Sequence, residues 1–439
     1  MSESIRVCVL ANAGLGGTEK AATIFAANLV ARGYAVDYWG NSGPRESYLR
    51  DRGVRTIRTE RSSEAVRHYI ETSRPHIIHQ HVPGYPTENP LYQALIGVRE
   101  ELQPKVIETN VFGRLEDPEG AEIVDFRFFI SAASAAQAFR RAHLTPTTET
   151  LGKQTVLYYP VNPPNESVST VDPTVRRDVR RELNIAENEV LAVRIGRPGH
   201  KWAAWECEAY GLARKESRRL RLFLMEPPEW LCAQIKKSKY GNGIIVRKET
   251  SEFAWLQKLY ASADLMIHAS DWGESFGYTI AEGMAAELPV ITRSTPWCDN
   301  AQVELVRNNE TGFVCWSVPE MARRLVELAN NEGPRRKMGT AAQQRILSLA
   351  NPKKETDLLE AAISFCLGAD NSSILNDRNA QLLEFSNRFA ALERDTSERC
   401  SEHPIDFARA CLYYYYRASR AHVREILNHL ERRFKIVRR

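Results

Sequence analysis

Residues 273–285 read GESFGYTIAEGMA, and an apolar segment lies on each side of them, at 265–268 and at 290–292. This order predicts a strand, a loop that holds Glu274, a helix that holds Glu282, and a further strand. In a parallel sheet such a connection lies at the carboxyl edge, where ligands bind. The stretch therefore predicts a ligand site between two buried strands.

The start of the predicted helix is itself a candidate anion site. The backbone N–H groups of Phe276, Gly277 and Tyr278 would lie where a helix leaves its donors without intrahelical partners. The carboxylates of Glu274 and Glu282 stand on either side of this point in the sequence. Such an arrangement suits a ligand with hydroxyls on both sides of a phosphate, as in a nucleotide sugar.

Length and composition indicate a globular protein of two or three domains, since the chain has 439 residues with 43% hydrophobic and 26% charged residues. A net charge of +4 is small for this length and does not indicate nucleic acid. Eight cysteines without a CxxC pair favour reduced thiols over a disulfide framework or a zinc site. The chain enters a predicted strand at Ile5 without a signal peptide, and no apolar run approaches the ~20 residues of a membrane span, so we expect a cytoplasmic protein.

Strand and helix patterns alternate along two parts of the chain. This alternation predicts an α/β fold with two Rossmann-like doubly wound domains that face a cleft. We place the N-terminal domain at residues 1–165 and the C-terminal domain at 175–350, with a Pro-rich linker at 159–165. Residues 370–439 are predicted to form a helical, basic C-terminal extension.

Two loops carry further candidate ligand groups. The glycine-rich loop 14–18 follows the first strand, and Gly16 and Gly17 would let backbone approach a phosphate closely, although a tight turn without ligand is the alternative. Arg197 and Lys201 follow the first strand of the second half, where they could converge on a diphosphate. A solvated basic loop is the other interpretation of this pair.

The segment from Glu274 to Glu282 resembles the E-x7-E motif of retaining GT-B glycosyltransferases, especially the large family 4. The strands on both sides of the motif and the two loops described above fall where this family has its counterparts. The resemblance covers about residues 1–367. It implies the GT-B fold, with residues 351–368 as the helix that crosses back to the first domain.

The resemblance also implies roles for individual residues. Glu274 would contact hydroxyls of the donor sugar, Glu282 would contact the nucleotide ribose, and Arg197 and Lys201 would neutralise the donor diphosphate. The donor would be a UDP- or GDP-linked sugar, with no metal and no further cofactor, and transfer would proceed on one face of the sugar; Glu274 as a covalent nucleophile is the less favoured alternative. The donor-binding residues would be Gly16, Gly17, Ser275, Phe276, Gly277, Tyr278, Thr279 and Glu282.

The acceptor side departs from the family pattern. Many relatives carry a histidine in the turn after the strand matched by residues 106–108, and here Asn110 stands near that place, so we include it with the catalytic residues. His79 and His81 are alternative candidates, although a histidine at a strand end is more often structural. The basic loop is also one residue shorter than the common GR-x4-K spacing.

The C-terminal segment 408–439 is strongly basic, with nine Arg or Lys residues against two Glu, a surplus of seven positive charges. One interpretation is a helical appendage that packs on the core. The other is a basic surface for a polyanion or for peripheral contact with the inner membrane face.

Two other function classes remain open at this point. One is a nucleotide-sugar epimerase or a sugar phosphorylase on a similar two-domain fold. The other is a non-catalytic subunit that binds sugar nucleotides through the same cleft. The favoured function is transfer of a sugar from a nucleotide-diphosphate donor to an acceptor hydroxyl.

Overall fold

The computed structural model describes residues 4–84, 88–115, 118–163, 173–199, 201–248, 253–296, 298–369 and 372–401. The strands within these ranges are β1 (Arg6–Leu10), β2 (Ala35–Trp39), β3 (Arg55–Ile57), β4 (Ile77–Val82), β5 (Lys105–Asn110), β6 (Phe126–Phe129), β7 (Gln154–Val156), β8 (Val190–Ile195), β9 (Leu220–Met225), β10 (Ile244–Arg247), β11 (Leu265–His268), β12 (Val290–Arg293) and β13 (Gly312–Cys315).

The helices alternate with these strands along the chain. They are α1 (Gly17–Ala31), α2 (Glu46–Arg50), α3 (Ser63–Ser73), α4 (Pro90–Ile96), α5 (Pro118–Ile123), α6 (Ala132–Arg141), α7 (Pro173–Glu182), α8 (Trp205–Glu216), α9 (Glu229–Lys237), α10 (Phe253–Ser262), α11 (Tyr278–Ala285), α12 (Gln302–Leu305), α13 (Val318–Asn330), α14 (Glu332–Leu349), α15 (Pro352–Cys366) and α16 (Ser372–Ser401). Among the helices described, none is long and apolar enough to cross a membrane.

The strands form two parallel sheets, one in each domain. The first has the order β3-β2-β1-β4-β5-β6-β7 and the second β10-β9-β8-β11-β12-β13. The order reverses between β1 and β4 in the first sheet and between β8 and β11 in the second. In doubly wound folds ligands bind outside the carboxyl ends of the strands at such switch points. The prediction of two Rossmann-like doubly wound domains is confirmed.

The central strands are apolar because helices cover both faces of each sheet. All six residues of β8 are buried, for example. One continuous apolar cluster includes Phe25 and Phe128 of the first domain together with Phe276 and Met284 of the second. The domains therefore pack against each other directly, and the motif around Glu274 lies at this contact.

Helix α15 crosses back from the second domain to the first. Its Thr356 accepts a hydrogen bond of 2.9 Å from the Asn28 amide of α1, and its Asp357 lies 2.8 Å from Arg32. These contacts place α15 against α1 of the first domain. The segment predicted to cross back, 351–368, includes this helix.

Helix α16 packs against both domains and is described as far as residue 401. Its Arg378 forms an ion pair of 2.6 Å with Glu355 of α15, whose side chain is fully buried. Its Phe389 lies in an apolar cluster with Ala133 of α6 and Ala301 beside α12. The basic segment 408–439, for which a polyanion or membrane contact is predicted, lies outside the described residues.

Candidate active site

The turn before α11 has a shape that only glycine allows at two positions. Gly273 has a φ of 63°, and a Cβ built on it would lie 1.6 Å from the Asp299 carbonyl oxygen. Gly277, with a φ of 92°, is the N-cap of α11. Both are left-handed conformations that favour glycine. The turn therefore carries the chain from β11 into α11 with Glu274 at its centre, as the sequence predicts.

Glu274 is buried and has two side-chain partners. The Lys201 ammonium lies 2.6 Å from Oε2, and His268 Nε2 lies 3.3 Å from Oε1. Burial alone would raise the pKa of this carboxyl, but Lys201 and His268 together hold its pKa well below the usual range. Glu274 is therefore ionised throughout the physiological pH range.

The backbone of Glu274 is held as firmly as its side chain. The Gln302 side chain accepts from the Glu274 amide at 3.0 Å, and the Ala301 amide donates to the Glu274 carbonyl at 2.7 Å. The Gln302 amide group itself donates to the Arg293 carbonyl and to Thr295 Oγ1. These hydrogen bonds fix the backbone of Glu274 and the Gln302 side chain that contacts it. The Glu274 carboxylate is therefore held in one orientation for a ligand.

His268, the last residue of β11, was not among the predicted site residues. Burial is the largest cause that lowers its pKa, to about 4, with a further contribution from the Arg194 charge. The imidazole is therefore neutral near pH 7, and it can donate from Nε2 to Glu274. Its position at the carboxyl end of a central parallel strand is the signal by which it could have been found.

The basic loop between β8 and α8 is anchored by a buried ion pair. Arg194 contacts Glu206 at 3.0 Å, and both side chains are at most 2% exposed. Glu206 also accepts from the Ala269 amide at 2.8 Å, so the pair connects this loop to the one that leads to Glu274. The Trp202 indole donates to the Arg197 carbonyl at 2.9 Å. The ion pair and these hydrogen bonds fix the loop, which holds Lys201 against Glu274.

Arg197 is exposed and extends toward the glycine-rich loop of the other domain. A Cβ built on Gly16 would lie 3.1 Å from Arg197 Nη2, and one built on Gly17 would lie 3.1 Å from the Tyr278 ring. The absence of side chains at Gly16 and Gly17 therefore lets the first domain approach both the basic loop and the start of α11. Arg197, Gly16, Gly17 and Tyr278 therefore lie together.

Glu282 lies one turn into α11 and contacts the first domain. Its Oε1 accepts a hydrogen bond from the Lys20 ammonium of α1, and its Oε2 accepts from the Tyr260 hydroxyl at 3.2 Å. The same hydroxyl lies 3.5 Å from the Thr279 carbonyl. The Tyr278 hydroxyl donates to the Pro160 carbonyl, which adds a further contact between the domains. Neither Lys20 nor Tyr260 was predicted from the sequence.

Ser275 and Phe276 also lie at the domain contact. The Ser131 hydroxyl at the N-terminus of α6 donates to the Ser275 carbonyl at 2.6 Å, while the Ser275 hydroxyl donates to Asp299 at 2.6 Å. Burial raises the pKa of the Asp299 carboxyl. The Phe276 ring packs edge-on against Tyr159 of the first domain, with ring centroids 5.5 Å apart. Both residues therefore hold the start of α11 against the first domain.

Asn110 lies at the end of β5 and is buried. Its amide group donates to Glu108 at 3.1 Å and to the Arg114 carbonyl at 2.6 Å, while its oxygen accepts from the Arg114 amide at 3.1 Å. Gly84, with a φ of 83°, packs directly against it. Through these contacts Asn110 stabilises the turn that follows β5.

His79 and His81 lie on one face of β4, with ring centroids 4.7 Å apart. His79 Nε2 lies 2.8 Å from Thr109 Oγ1, and burial lowers its pKa to about 4. Among the residues that the structure describes, neither ring nitrogen of His81 has a hydrogen-bond partner. Burial, with the neighbouring His79, places the pKa of His81 well below its usual value. Both imidazoles are therefore neutral near pH 7.

The structure thus gathers the predicted residues into two groups. Glu274, Lys201 and Ser275 meet on one side of the α11 start, and Glu282 meets the first turn of α1 on the other. Gly277 and Tyr278 lie between the two groups. In the part of the chain that is described, no cluster of three His, Cys, Asp or Glu side chains could hold a metal ion.

Residues 177–345 match the family model described as Glycosyl transferases group 1. Curated protein sequences gave no match. These 169 residues include the basic loop, Glu274 and Glu282, so the matched region contains most of the second domain's site.

Solved structures match over most of the chain. A glycosyltransferase from Rickettsia africae aligns with a TM-score of 0.69 and 15% identity over 83% of this chain and 99% of that chain. HepE from Anabaena, solved with UDP and glucose, aligns with a TM-score of 0.66 and 16% identity over 82% and 99%. Sucrose-phosphate synthase from Thermosynechococcus elongatus aligns with a TM-score of 0.60 and 14% identity over 81% and 97%. The chain therefore has the GT-B glycosyltransferase fold, and its second domain matches the family Glycosyl transferases group 1.

Proposed function

We propose that this protein is a retaining glycosyltransferase that moves a sugar from a UDP- or GDP-linked donor to an acceptor hydroxyl without a metal ion. The observation that carries the proposal is the Glu274–Lys201 contact of 2.6 Å beside the start of α11, with Glu282 one turn further along the same helix. An ionised carboxylate suits sugar hydroxyls, a cation suits a diphosphate, and a helix start suits an anion. HepE, a structural neighbour, was solved with UDP-glucose, which favours UDP as the first nucleotide to test.

The donor would lie across the start of α11. Its sugar hydroxyls would donate to Glu274, and its ribose hydroxyls would donate to Glu282. The diphosphate would lie between them, near the amides of Phe276 to Tyr278, where Arg197 and Lys201 approach from the basic loop. This order follows from the positions of the two carboxylates at the two ends of the site.

In the transfer step the bond from the anomeric carbon to the phosphate oxygen breaks. A bond from the acceptor oxygen to the same carbon forms on the same face, and the acceptor proton passes to the leaving phosphate. Negative charge grows on the diphosphate as the first bond lengthens. Arg197, Lys201 and the helix-start amides would stabilise that charge more in the transition state than in the ground state.

Two further side chains would act through their neighbours. Asn110 would position the turn after β5 on the acceptor side, since its amide is engaged with Glu108 and with the backbone of Arg114. His268 would position Glu274 through its hydrogen bond to Oε1. Neither residue needs to touch the reacting atoms for this role.

Thermal unfolding with a panel of UDP- and GDP-sugars tests the donor class, because a ligand that binds the native state raises the midpoint by mass action. The stabilising donor is then used to measure transfer or slow hydrolysis. Glu274→Gln is expected to lower kcat by roughly 100-fold or more, because it misplaces the donor sugar. Glu208→Gln on the exposed face of α8 is the matched control. Full activity in folded Glu274→Gln protein would contradict the assigned role.

A further inference from the structure

We propose that Lys20 of α1 exchanges partners when the donor binds, and that its ammonium then becomes a diphosphate ligand supplied by the first domain. The inference rests on the proposed function, since it takes Glu282 as the ribose ligand. It adds a positioning and binding residue that no motif in the sequence indicates. It also gives a reason why the two domains contact each other at this point.

The first step concerns the Glu282 carboxylate. Both of its oxygens already have partners, Lys20 on Oε1 and Tyr260 on Oε2. The side chains of Lys20 and Glu282 are only 14% and 19% exposed, so this ion pair is largely shielded from solvent. A ribose hydroxyl that donates to Oε1 of Glu282 would therefore compete with the Lys20 ammonium for this oxygen.

The second step concerns the displaced ammonium. An amine that loses its carboxylate in a partly buried position is costly unless another anion replaces it. Lys20 Nζ lies 4.5 Å from the ring centroid of Tyr278, the first residue of α11. It therefore lies over the side chain of the first residue of α11, beside the helix start where the diphosphate is proposed to bind, and there it would pair with a phosphate oxygen.

The third step concerns the backbone that carries Lys20. Lys20 belongs to the first turn of α1, which follows the close contact of Gly17 with the Tyr278 ring. In the same turn, Thr18 Oγ1 accepts a hydrogen bond of 3.0 Å from the Tyr159 hydroxyl. The turn is thus held by contacts other than the Lys20 ion pair, since Gly17 packs on the Tyr278 ring of α11 and Thr18 is anchored to Tyr159 of its own domain. The side chain can change partners while the domains stay in contact.

The two roles of Lys20 predict effects of opposite sign, which separate this inference from a merely structural contact. Lys20→Met keeps most of the aliphatic stem and removes the charge. It should bind uridine or guanosine roughly fivefold more tightly, because the competitor for Glu282 is gone. It should bind UDP or GDP about tenfold more weakly, because a charge-assisted hydrogen bond to phosphate is lost.

The experiment measures nucleoside and nucleoside-diphosphate binding by titration calorimetry in wild type, Lys20→Met and Lys20→Arg. Lys236→Met on the exposed face of α9 is the control. Lys20→Arg should recover diphosphate binding, and circular dichroism checks that each variant is folded. If Lys20→Met weakens both ligand classes in parallel, or changes neither, the exchange is wrong while the proposed function stands. If folded wild-type protein binds none of these ligands, the proposed function falls, and the Lys20 inference falls with it.

Discussion

The ammonium of Lys201 lies 2.6 Å from Oε2 of Glu274, and this contact joins the carboxyl edges of β8 and β11. These two strands are neighbours at the point where the order of the second sheet reverses. The pair therefore places a cation and an ionised carboxylate at the switch point. There the cation can bind a phosphate group of a ligand, and the carboxylate can accept hydrogen bonds from its hydroxyl groups.

Removing Lys201 is expected to shift the acid limb of the activity profile to higher pH. Burial raises the pKa of Glu274, and Lys201 is the largest influence that lowers it. In Lys201→Met the carboxyl should therefore protonate at a pH roughly 1–3 units higher. The measurement is kcat/KM against pH, with Lys236→Met as the control. A uniform loss of activity without a moved limb would mean that Lys201 does not set the ionisation of Glu274.

The sign of the accompanying stability effect follows from the same pKa. The pKa of folded Glu274 lies below its usual value of 4.5, so its ionised form contributes stability above that value. This contribution is lost as the pH falls through the lowered folded pKa. In Lys201→Met the folded pKa lies closer to 4.5, so the contribution should be smaller and its loss complete at a higher pH, which urea unfolding at several pH values would detect.

Gly273→Ala is expected to destabilise the fold by about 3 kcal/mol or more. The new Cβ would lie 1.6 Å from a backbone oxygen, and the φ of 63° disfavours any side chain. Gly333→Ala in α14 is the matched control. Apart from the helix's own backbone, a Cβ built on Gly333 would meet no atom of the described residues within 4 Å. It should stabilise the protein by up to about 1 kcal/mol through helix propensity. Equal effects at the two positions, measured by urea unfolding, would contradict this account of the turn.

Arg378→Met is expected to lower the free energy of unfolding by about 3–5 kcal/mol, since it leaves the fully buried Glu355 carboxylate without its cation. Arg388→Met, on the same helix, removes an ion pair whose arginine side chain is 63% exposed. The second change should cost less than about 1 kcal/mol. Chemical denaturation of both variants checks whether α16 is a stabilising part of the core. A small effect of Arg378→Met would indicate that it is not.

Asn110→Ala is expected to act on the acceptor side and on stability. The change leaves the Arg114 amide and carbonyl without their side-chain partner, at a cost of about 1–3 kcal/mol in unfolding free energy. Donor affinity, measured by calorimetry, should stay unchanged, while the KM for the acceptor should rise. A loss of kcat with unchanged stability and acceptor KM would instead place Asn110 among the reacting groups.

The local features of the site could be predicted from spacing alone. The helix α11 begins at Tyr278, directly after Gly277, because glycine allows the left-handed turn and the residues after it form a helix with an apolar face. The alternation of apolar strands and helices predicted both parallel sheets, because each of these patterns repeats within a few residues and can be recognised locally. The positions of Glu274 just before α11 and of Glu282 inside it could be predicted too, because both depend only on where the helix begins in this short stretch of sequence.

The partners of these carboxylates depend on packing between distant segments. Lys20 and Glu282 are 262 residues apart, and Lys201 and Glu274 are 73 residues apart. Asn110 is another case, because its contacts with the turn after β5 depend on how that turn folds back. The chain order therefore determined which groups stand ready for the proposed donor, since local backbone preference places them at strand and helix ends. Their pairing required distant segments of the chain to pack, within the second domain for Lys201 and Glu274 and between the domains for Lys20 and Glu282, because a hydrogen bond depends on distances of about 3 Å that no short-range pattern records.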